Sequence, residues 1–501
     1  MTEARGVIVG VGLLYFVAIA GIGLWATHRT RTVDDFYLAG RGAGGGIGLM
    51  ALTLAALSAT LSGFAFIGGP GLVYSVGLGA LFIVLPASLT HALSGWVLAP
   101  QLRAMADTHR VVTIPEALGV RFASRAVRGG AATSLLIAVI GYMATNVLAL
   151  GLAIDVLFGV GRTPAIWIGA LVVLAYAAGG GIIAGIYTDV LQGLWTALAS
   201  VLVFLRVLEV GQGLGTMSRT IAAADPEFLE PWGHLDPLAA LSFFFVFSVG
   251  VLGQPHVLHK FYMLRDPRQL RWYPLLMSGA LILGTLLFFG VGIAVKALVV
   301  DGSMAPLVSA DDATPRFVLE QTPVWLAALV FSGVVAAIMS TMNSFVNVGA
   351  AALTHDLPQV LGRDPSTQLT PGRVATVAIT LVAALVAQAS SSLVAFLGIF
   401  GWGLFASTFV APLAIGLNWP GASRAGALAS IGVGLGGTLL LETAAWAGWL
   451  TLPQGVTVSA LTLVLSIVVF LVASKLRPER ARATPPRPPD DLTRPSARRR
   501  P

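Results

Sequence analysis

Runs of about 20 apolar residues recur along this 501-residue chain and constrain its fold more than any other feature. A helix of that length matches the thickness of a bilayer's hydrocarbon core. Only 11% of the residues are charged, against about a quarter in soluble domains. We therefore expect an all-α polytopic membrane protein with about thirteen transmembrane helices. The predicted spans are residues 6–26, 46–68, 72–100, 130–158, 163–185, 188–211, 238–260, 272–299, 323–350, 372–389, 391–416, 423–446 and 454–475.

Basic residues give these spans an orientation, because Lys and Arg accumulate on the cytoplasmic side of membrane proteins. With the N-terminus outside, 24 of the 30 basic residues fall on the cytoplasmic side. The C-terminus is then cytoplasmic in a multi-pass protein of the cell membrane. We expect residues 1–475 to form a single membrane domain. Residues 476–501, rich in Pro and Arg, are expected to form a disordered basic cytoplasmic tail.

Two of the predicted spans are interrupted by residues that suit membrane helices poorly. Residues 58–63, SATLSG, form one interruption, and Gly250, Gly253 and Pro255 form the other. Irregular backbone is tolerated at membrane depth only inside protein or beside a watery cavity, although small residues also serve close helix packing. The interruptions occupy similar places in residues 46–211 and 238–416, two runs of five spans. This pairing favours inverted repeats with a binding site between them.

Seven short segments carry more information together than any of them does alone. They are DDFYLAGRGAGG (34–45), SATLSGFAFIGGPGLVYSVG (58–77), TIPEALGVRF (113–122), GGGIIAGIYTDVLQG (179–193), GQPH (253–256), AAIMSTMNS (336–344) and WPGASRAGALASIGVG (419–434). In this order they resemble the sodium:solute symporter family, which includes bacterial sodium/proline, sodium/pantothenate and sodium/galactose carriers. The resemblance implies a LeuT-like core of five plus five helices, with one extra N-terminal and two extra C-terminal helices.

A candidate ion site includes Ala337, Ser340 and Thr341, which share one helical face at positions i, i+3 and i+4. The two hydroxyls also suit hydrogen bonds to carbonyls one turn earlier on their own helix. Neutral oxygens are suitable ligands for sodium, because they bury no permanent anion in the membrane. The resemblance implies a sodium site formed by the carbonyls of Ser58, Leu61 and Ala337 and the hydroxyls of Ser340 and Thr341.

Three ionisable residues within or beside predicted spans have alternative interpretations. The resemblance implies that Asp189 is a way-station for sodium released inward, and Asp189 equally suits the N-cap of the 188–211 helix together with Thr188. His91 and His256 are suited to carrying protons, because histidine titrates near neutral pH. Each histidine also suits a hydrogen bond to a neighbouring carbonyl.

The organic solute is expected beside the ion, facing the second interruption. GQPH is closer to the proline and pantothenate carriers than to the sugar carriers, but Phe247 and Val251 replace the Trp and Tyr of proline carriers. We favour a small carboxylate or amino acid held at half-helix N-termini, with a sugar or polyol as the alternative. The candidate solute residues, each also explained by packing, are Thr60, Ser62, Phe66, Asn146, Phe247, Val251, Gln254, Pro255, Trp402 and Phe405.

These features predict a sodium-coupled secondary active symporter that imports a small organic solute by alternating access. A proton-coupled carrier of the same fold and a non-transporting sensor or scaffold are the alternatives. An enzyme is not expected, because the sequence has no cysteine, metal-spaced histidine pair, nucleophile elbow or phosphate loop. The expected partners are the solute, Na⁺ as coupling ion and the lipid bilayer, with no nucleic acid and no obligate protein partner.

Overall fold

The computed structural model describes residues 2–29, 47–364, 370–390 and 392–479. Segment 34–45 and the tail from residue 480 onward therefore lie outside the described residues. The helices are α1 Thr2–Arg29, α2 Leu49–Thr60, α3 Gly69–Val76, α4 Leu81–Val97, α5 Ala99–His109, α6 Ile114–Arg121, α7 Arg125–Phe158, α8 Arg162–Val210, α9 Leu214–Ala224, α10 Pro237–Val249, α11 Pro255–Leu258, α12 Tyr273–Val300, α13 Ala313–Gln321, α14 Val324–Ala351, α15 Leu357–Val360, α16 Thr370–Ala389, α17 Val394–Val410, α18 Arg424–Gly432, α19 Thr438–Trp446 and α20 Val458–Leu476.

Several of these helices are joined by π-helical or 3₁₀ turns into longer membrane segments. Within the described ranges, ten helical segments are long and apolar enough to cross a membrane. Three shorter apolar helices are Gly6–Ile22, Leu49–Thr60 and Arg162–Leu174. The predicted all-α membrane fold is confirmed, and the count of thirteen spans stays a prediction.

The boundary predicted between spans 46–68 and 72–100 is wrong. The helix that restarts after the first interruption continues to Val76, and Gly77, with φ of 68°, makes the turn into the next span. Glycine adopts this left-handed conformation without a steric penalty. Pro70 does not end the helix, because it directly follows the π-helical turn Phe64–Gly68, in which the hydrogen-bond register widens by one residue.

Spans 163–185 and 188–211 were predicted as separate helices, but the backbone is helical throughout α8, from Arg162 to Val210. The glycines between the two spans do not end the helix, because glycine costs only about 1 kcal/mol at a helical position, far less than proline.

The centre of the bundle is α14, whose residues are almost all buried from Leu326 to Ala351. It packs against α8, α2, α7 and α1. Helices α2 and α8 approach closely at Gly193, where an added Cβ would lie 2.5 Å from the carbonyl oxygen of Leu54. This packing brings the first interruption, the middle of α8 and α14 together.

Candidate ion and solute site

The first interruption lies between the end of α2 at Thr60 and a π-helical turn that begins at Phe64. Its backbone hydrogen bonds are replaced by side chains. The Gly63 N–H donates to Asn146 Oδ1 at 3.0 Å, and the Phe64 N–H donates to Ser62 Oγ at 3.2 Å. Buried backbone groups require such partners, so Asn146 and Ser62 stabilise the interruption itself.

The second interruption lies at Gln254, whose backbone is extended, with φ of −93° and ψ of 91°. Pro255 begins the short helix α11, a position where a missing N–H costs no hydrogen bond. The Gln254 side chain donates from Nε2 to the Gly250 carbonyl at 3.1 Å. At Gly253 the backbone approaches α17 so closely that a Cβ would lie 2.9 Å from the Phe405 carbonyl oxygen.

A cluster of uncharged oxygens joins the first interruption to α14. Thr341 Oγ1 lies 2.9 Å from the Ala337 carbonyl oxygen, 3.0 Å from that of Ala59 and 3.4 Å from that of Ser58. One hydroxyl hydrogen serves only one of these acceptors at a time. The cluster therefore gathers more lone pairs than hydrogens, which is the environment that a hard cation such as Na⁺ requires.

The structure distributes four of the five predicted ion ligands over two neighbouring groups, whereas the fifth, Leu61, lines a cavity beside the first interruption. Ser58, Ala337 and Thr341 come together, with Ala59 as a member that sequence reasoning missed. Ser340 Oγ instead donates to Asp189 Oδ1 at 2.5 Å. The carbonyls of α2 and the side chain of Asp189 thus contact adjacent residues of the same helix.

Asp189 forms a buried ion pair with Lys260, which lies just beyond the second interruption. Lys260 Nζ is 2.8 Å from Asp189 Oδ2, with side-chain exposures of 7% and 1%, and 3.1 Å from Ser344 Oγ. Asp189 lies inside α8, so the N-cap alternative is wrong. Sequence reasoning used Lys260 only for orientation, although a lysine so close to a helix interruption within the membrane was the available signal.

A cavity lies beside the first interruption and beside α10, the helix that leads into the second. Thr60, Phe247 and Trp402 line it, together with residues that sequence reasoning did not assign to the solute. Phe247 stacks on Trp402 with ring centroids 5.2 Å apart and on Phe64 at 6.2 Å, which gives the cavity an aromatic wall. The additional polar lining residues are Ser88, His91, Tyr142 and Thr285.

The other predicted solute residues lie outside the lining of this cavity. Phe66 and Val251 are buried in the core, and Phe405 stacks on Phe345 with centroids 5.6 Å apart. Their orientation depends on how each helix is rotated in the bundle, which composition does not reveal. Ser62 and Asn146 support the first interruption, and Gln254 and Pro255 form the second.

Comparison with known sequences decides the family. The profile of the Sodium:solute symporter family matches residues 36–434. The chain belongs to this family. It is 26% identical to the sodium/pantothenate symporter of Escherichia coli (strain K12) over 430 residues. This alignment covers 84% of this chain and 87% of that protein. It is 25% identical over 489 residues to the sodium/proline symporter of Salmonella typhimurium (strain LT2), covering 92% of each.

Solved structures show the fold. A Na⁺-coupled sialic acid symporter in a substrate-bound outward-open state superposes with a TM-score of 0.77 at 19% identity, over 95% of this chain and 99% of that one. Mhp1, a nucleobase-cation-symport-1 family transporter, superposes with a TM-score of 0.53 at 15% identity, over 90% of this chain and 97% of that one. The LeuT-like fold is thereby confirmed. As a family member the chain is a multi-pass membrane transporter and not an enzyme, and the family's coupling ion is sodium.

Proposed function

We propose that this symporter imports a small amino-acid-like solute together with Na⁺ by alternating access. The observation that carries the proposal is the buried contact of Thr341 with carbonyls at the end of α2. The relatives named for pantothenate and proline support a small solute that carries a carboxylate. In this proposal residues 1–475 form one transporter domain with its N-terminus outside, and residues 476–501 form a cytoplasmic tail.

The proposed sodium site lies between α2 and α14. When Na⁺ binds, the Thr341 hydroxyl hydrogen turns away and its oxygen faces the ion together with the neighbouring carbonyls. Neutral ligands hold the ion weakly enough to release it, whereas an unpaired buried carboxylate would add a charge that the membrane interior disfavours. The proposed ligands are the carbonyls of Ser58, Leu61 and Ala337 and the hydroxyls of Ser340 and Thr341.

Coupling follows from the position of this site across two elements. A sodium ion that contacts both α2 and α14 favours the conformation in which they are close, and ligands shift conformations only through such differential binding. At −100 mV the potential contributes about 2.3 kcal/mol per sodium ion, which corresponds to roughly fifty-fold accumulation. One sodium ion therefore suffices energetically.

Asp189 is the proposed exit point for sodium on the cytoplasmic path. Ser340 Oγ contacts Asp189 Oδ1 and belongs to the helix that carries Thr341. Ser340 directly precedes Thr341 in α14, so an ion leaving the neutral oxygens around Thr341 would next meet the Asp189 carboxylate. The carboxylate is already held by Lys260 at 2.8 Å, so passage of sodium requires the ammonium group to move.

A sodium titration of the purified protein tests the proposal, because a ligand stabilises the state that it binds. In NaCl, compared with choline chloride, the wild-type melting temperature should rise. The double variant S340A/T341V should lose most of this rise. Ser332→Ala on the same helix is the matched control, because its hydroxyl donates to the Ala328 carbonyl at 2.8 Å, one turn earlier on its own helix. A double variant with the wild-type sodium dependence would refute the assigned site.

A further inference from the structure

We propose that His91 Nε2 accepts a hydrogen bond from the transported solute, so that the solute presents an N–H or O–H donor on an apolar body. This inference rests on the proposed function and specifies the chemistry of its solute. It narrows the solute to compounds with a donor head and rejects a carboxylate that carries no donor.

The hydrogen bonds of His91 fix which ring nitrogen is the acceptor. Nδ1 lies 2.7 Å from the Ala87 carbonyl oxygen, which only accepts, so Nδ1 carries the hydrogen. In the neutral ring Nε2 then offers a lone pair. The side chain is 1% exposed and lines the cavity, and no described residue provides a partner for Nε2. A donor brought by the solute would satisfy this buried acceptor.

Three hydroxyls in the cavity add further acceptors. Those of Thr60, Ser88 and Thr285 each donate to a carbonyl of their own helix at 2.6 to 2.9 Å. Each hydroxyl has one hydrogen, so only its lone pairs remain for a solute. The Tyr142 hydroxyl lies 3.4 Å from Ser62 Oγ, and either of these groups is able to donate. Acceptors therefore outnumber donors around the cavity.

The first interruption offers no free N–H for an anion. Every N–H from Leu61 to Phe66 has an acceptor, either a carbonyl nearby in the chain or the side chains of Asn146 and Ser62. No N–H at this half-helix N-terminus is therefore left over for a carboxylate, and the expected carboxylate solute stays a prediction. A simple carboxylate, whose head supplies no hydrogen-bond donor, would face only lone pairs in the cavity, whereas the ammonium group of an amino acid supplies donors.

The aromatic wall of Phe64, Phe247 and Trp402 defines the rest of the solute. These flat side chains suit an apolar body, and an ammonium head is also attracted to aromatic faces. A hydroxyl head would satisfy His91 without adding charge. An ammonium group and a hydroxyl group both donate hydrogen bonds, so ligands that differ only in this group are needed to distinguish the two.

The first test is thermal stability of the purified full chain in NaCl and in choline chloride, with matched cyclopentyl and isobutyl ligands. Each apolar group is supplied as the amine, the alcohol and the carboxylate. We expect sodium-dependent stabilisation by the amines or the alcohols. We expect none by the two carboxylates, cyclopentanecarboxylate and 3-methylbutanoate. Amines alone would identify an ammonium head, and alcohols alone a hydroxyl head. Equal stabilisation by the carboxylates, or none by either donor series, would overturn the inference.

The second test uses His91→Phe, which keeps an aromatic ring and removes the acceptor. We expect about ten-fold weaker binding of the donor ligand, as for the loss of a buried hydrogen bond, and partial rescue in His91→Gln. Thr90→Val is the matched control, because its hydroxyl bonds to the Pro86 carbonyl at 2.7 Å and does not line the cavity.

Stabilisation by sodium without any solute distinguishes failure of this inference from failure of the proposed function. If sodium stabilises wild type and H91F alike, and H91F still binds the donor ligand with wild-type affinity, this inference fails and the proposed function stands. If sodium does not stabilise the wild type, the proposed function itself fails. If H91F does not fold, two measurements decide the question: the ligand series on the wild type, and the affinity of H91Q for the donor ligand relative to the wild type.

Discussion

Replacing Lys260 by methionine should destabilise the protein by about 3–5 kcal/mol, because it removes one partner of a buried ion pair. The ammonium lies 2.8 Å from Asp189 Oδ2, and the two side chains are 7% and 1% exposed. Methionine keeps most of the apolar stem but leaves the carboxylate with Ser340 Oγ as its remaining described donor. Because the carboxylate is 1% exposed, bulk solvent compensates little of its charge.

The double variant K260M/D189N should recover much of that loss. Asparagine has nearly the shape of aspartate but no charge, and replacing both partners of a buried pair costs far less than removing one. The four proteins form a double-mutant cycle whose interaction term should reach the upper end of the usual range, about 3 kcal/mol.

Arg206 and Glu209 provide a surface control at nearly the same distance. Their charged groups are 2.7 Å apart, but the side chains are 28% and 71% exposed. Exposed pairs contribute about 0.2–1 kcal/mol, so Glu209→Gln should change stability little. This comparison keeps the distance constant and varies burial.

Unfolding of the purified proteins should be followed at one fixed sodium concentration, since bound sodium contributes its own stabilisation. The reasoning is refuted if K260M is as stable as wild type. It is also refuted if adding D189N to K260M lowers stability further, because Asp189 would then carry no charge that Lys260 compensates.

Two further predictions concern the helix α17. Burial, with Asp312 nearby, raises the pKa of Asp311 to about 6 despite the Val394 N–H that its Oδ2 accepts at 2.9 Å. Because its folded-state pKa is raised, Asp311 contributes stability that is fully present below its ordinary pKa and is lost as pH rises through about 6. The protection of the amides of Ala310–Asp312 against exchange, relative to the intrinsic exchange rate at each pH, should therefore fall over this range, and Asp311→Asn should abolish the fall. Gly253→Ala should weaken solute-dependent stabilisation several-fold, because its Cβ would meet the Phe405 carbonyl oxygen at 2.9 Å, whereas Gly279→Ala, with open space, should not.

The sequence predicted the membrane fold and both helix interruptions because these depend on local properties. A bilayer requires every backbone group to be paired within its segment, so apolar length identifies a span. Pro255 and the residues around Ser62 mark the interruptions directly, through a missing N–H and small hydroxyl side chains. The exact ends were harder, since Gly77 ends a helix through its φ value and the glycines within α8 do not end theirs.

The candidate site was only partly predictable, because it depends on which helix faces meet. Thr341 and Ala337 share a face by spacing alone, but the contact with Ala59 requires the packing of α2 on α14. Asp189 and Lys260 are 71 residues apart, and no local pattern pairs them. Phe405 and Phe247 look alike in sequence, yet only Phe247 lines the cavity.

The two groups of oxygens along α14, one around Thr341 and one at Asp189, reach electrical neutrality in different ways, and both suit the proposed reversible sodium path. In the proposed site around Thr341 the ligands are neutral, so an arriving ion would add its full charge and would be bound weakly. At Asp189 the carboxylate is already compensated by Lys260, so this site too carries no net charge before sodium arrives. Since an uncompensated charge is costly at membrane depth, neither of the two proposed groups would hold sodium as tightly as an unpaired carboxylate would. On the proposed path, release into the cytoplasm therefore requires the Lys260 ammonium to move away from Asp189 rather than sodium to leave an unpaired carboxylate.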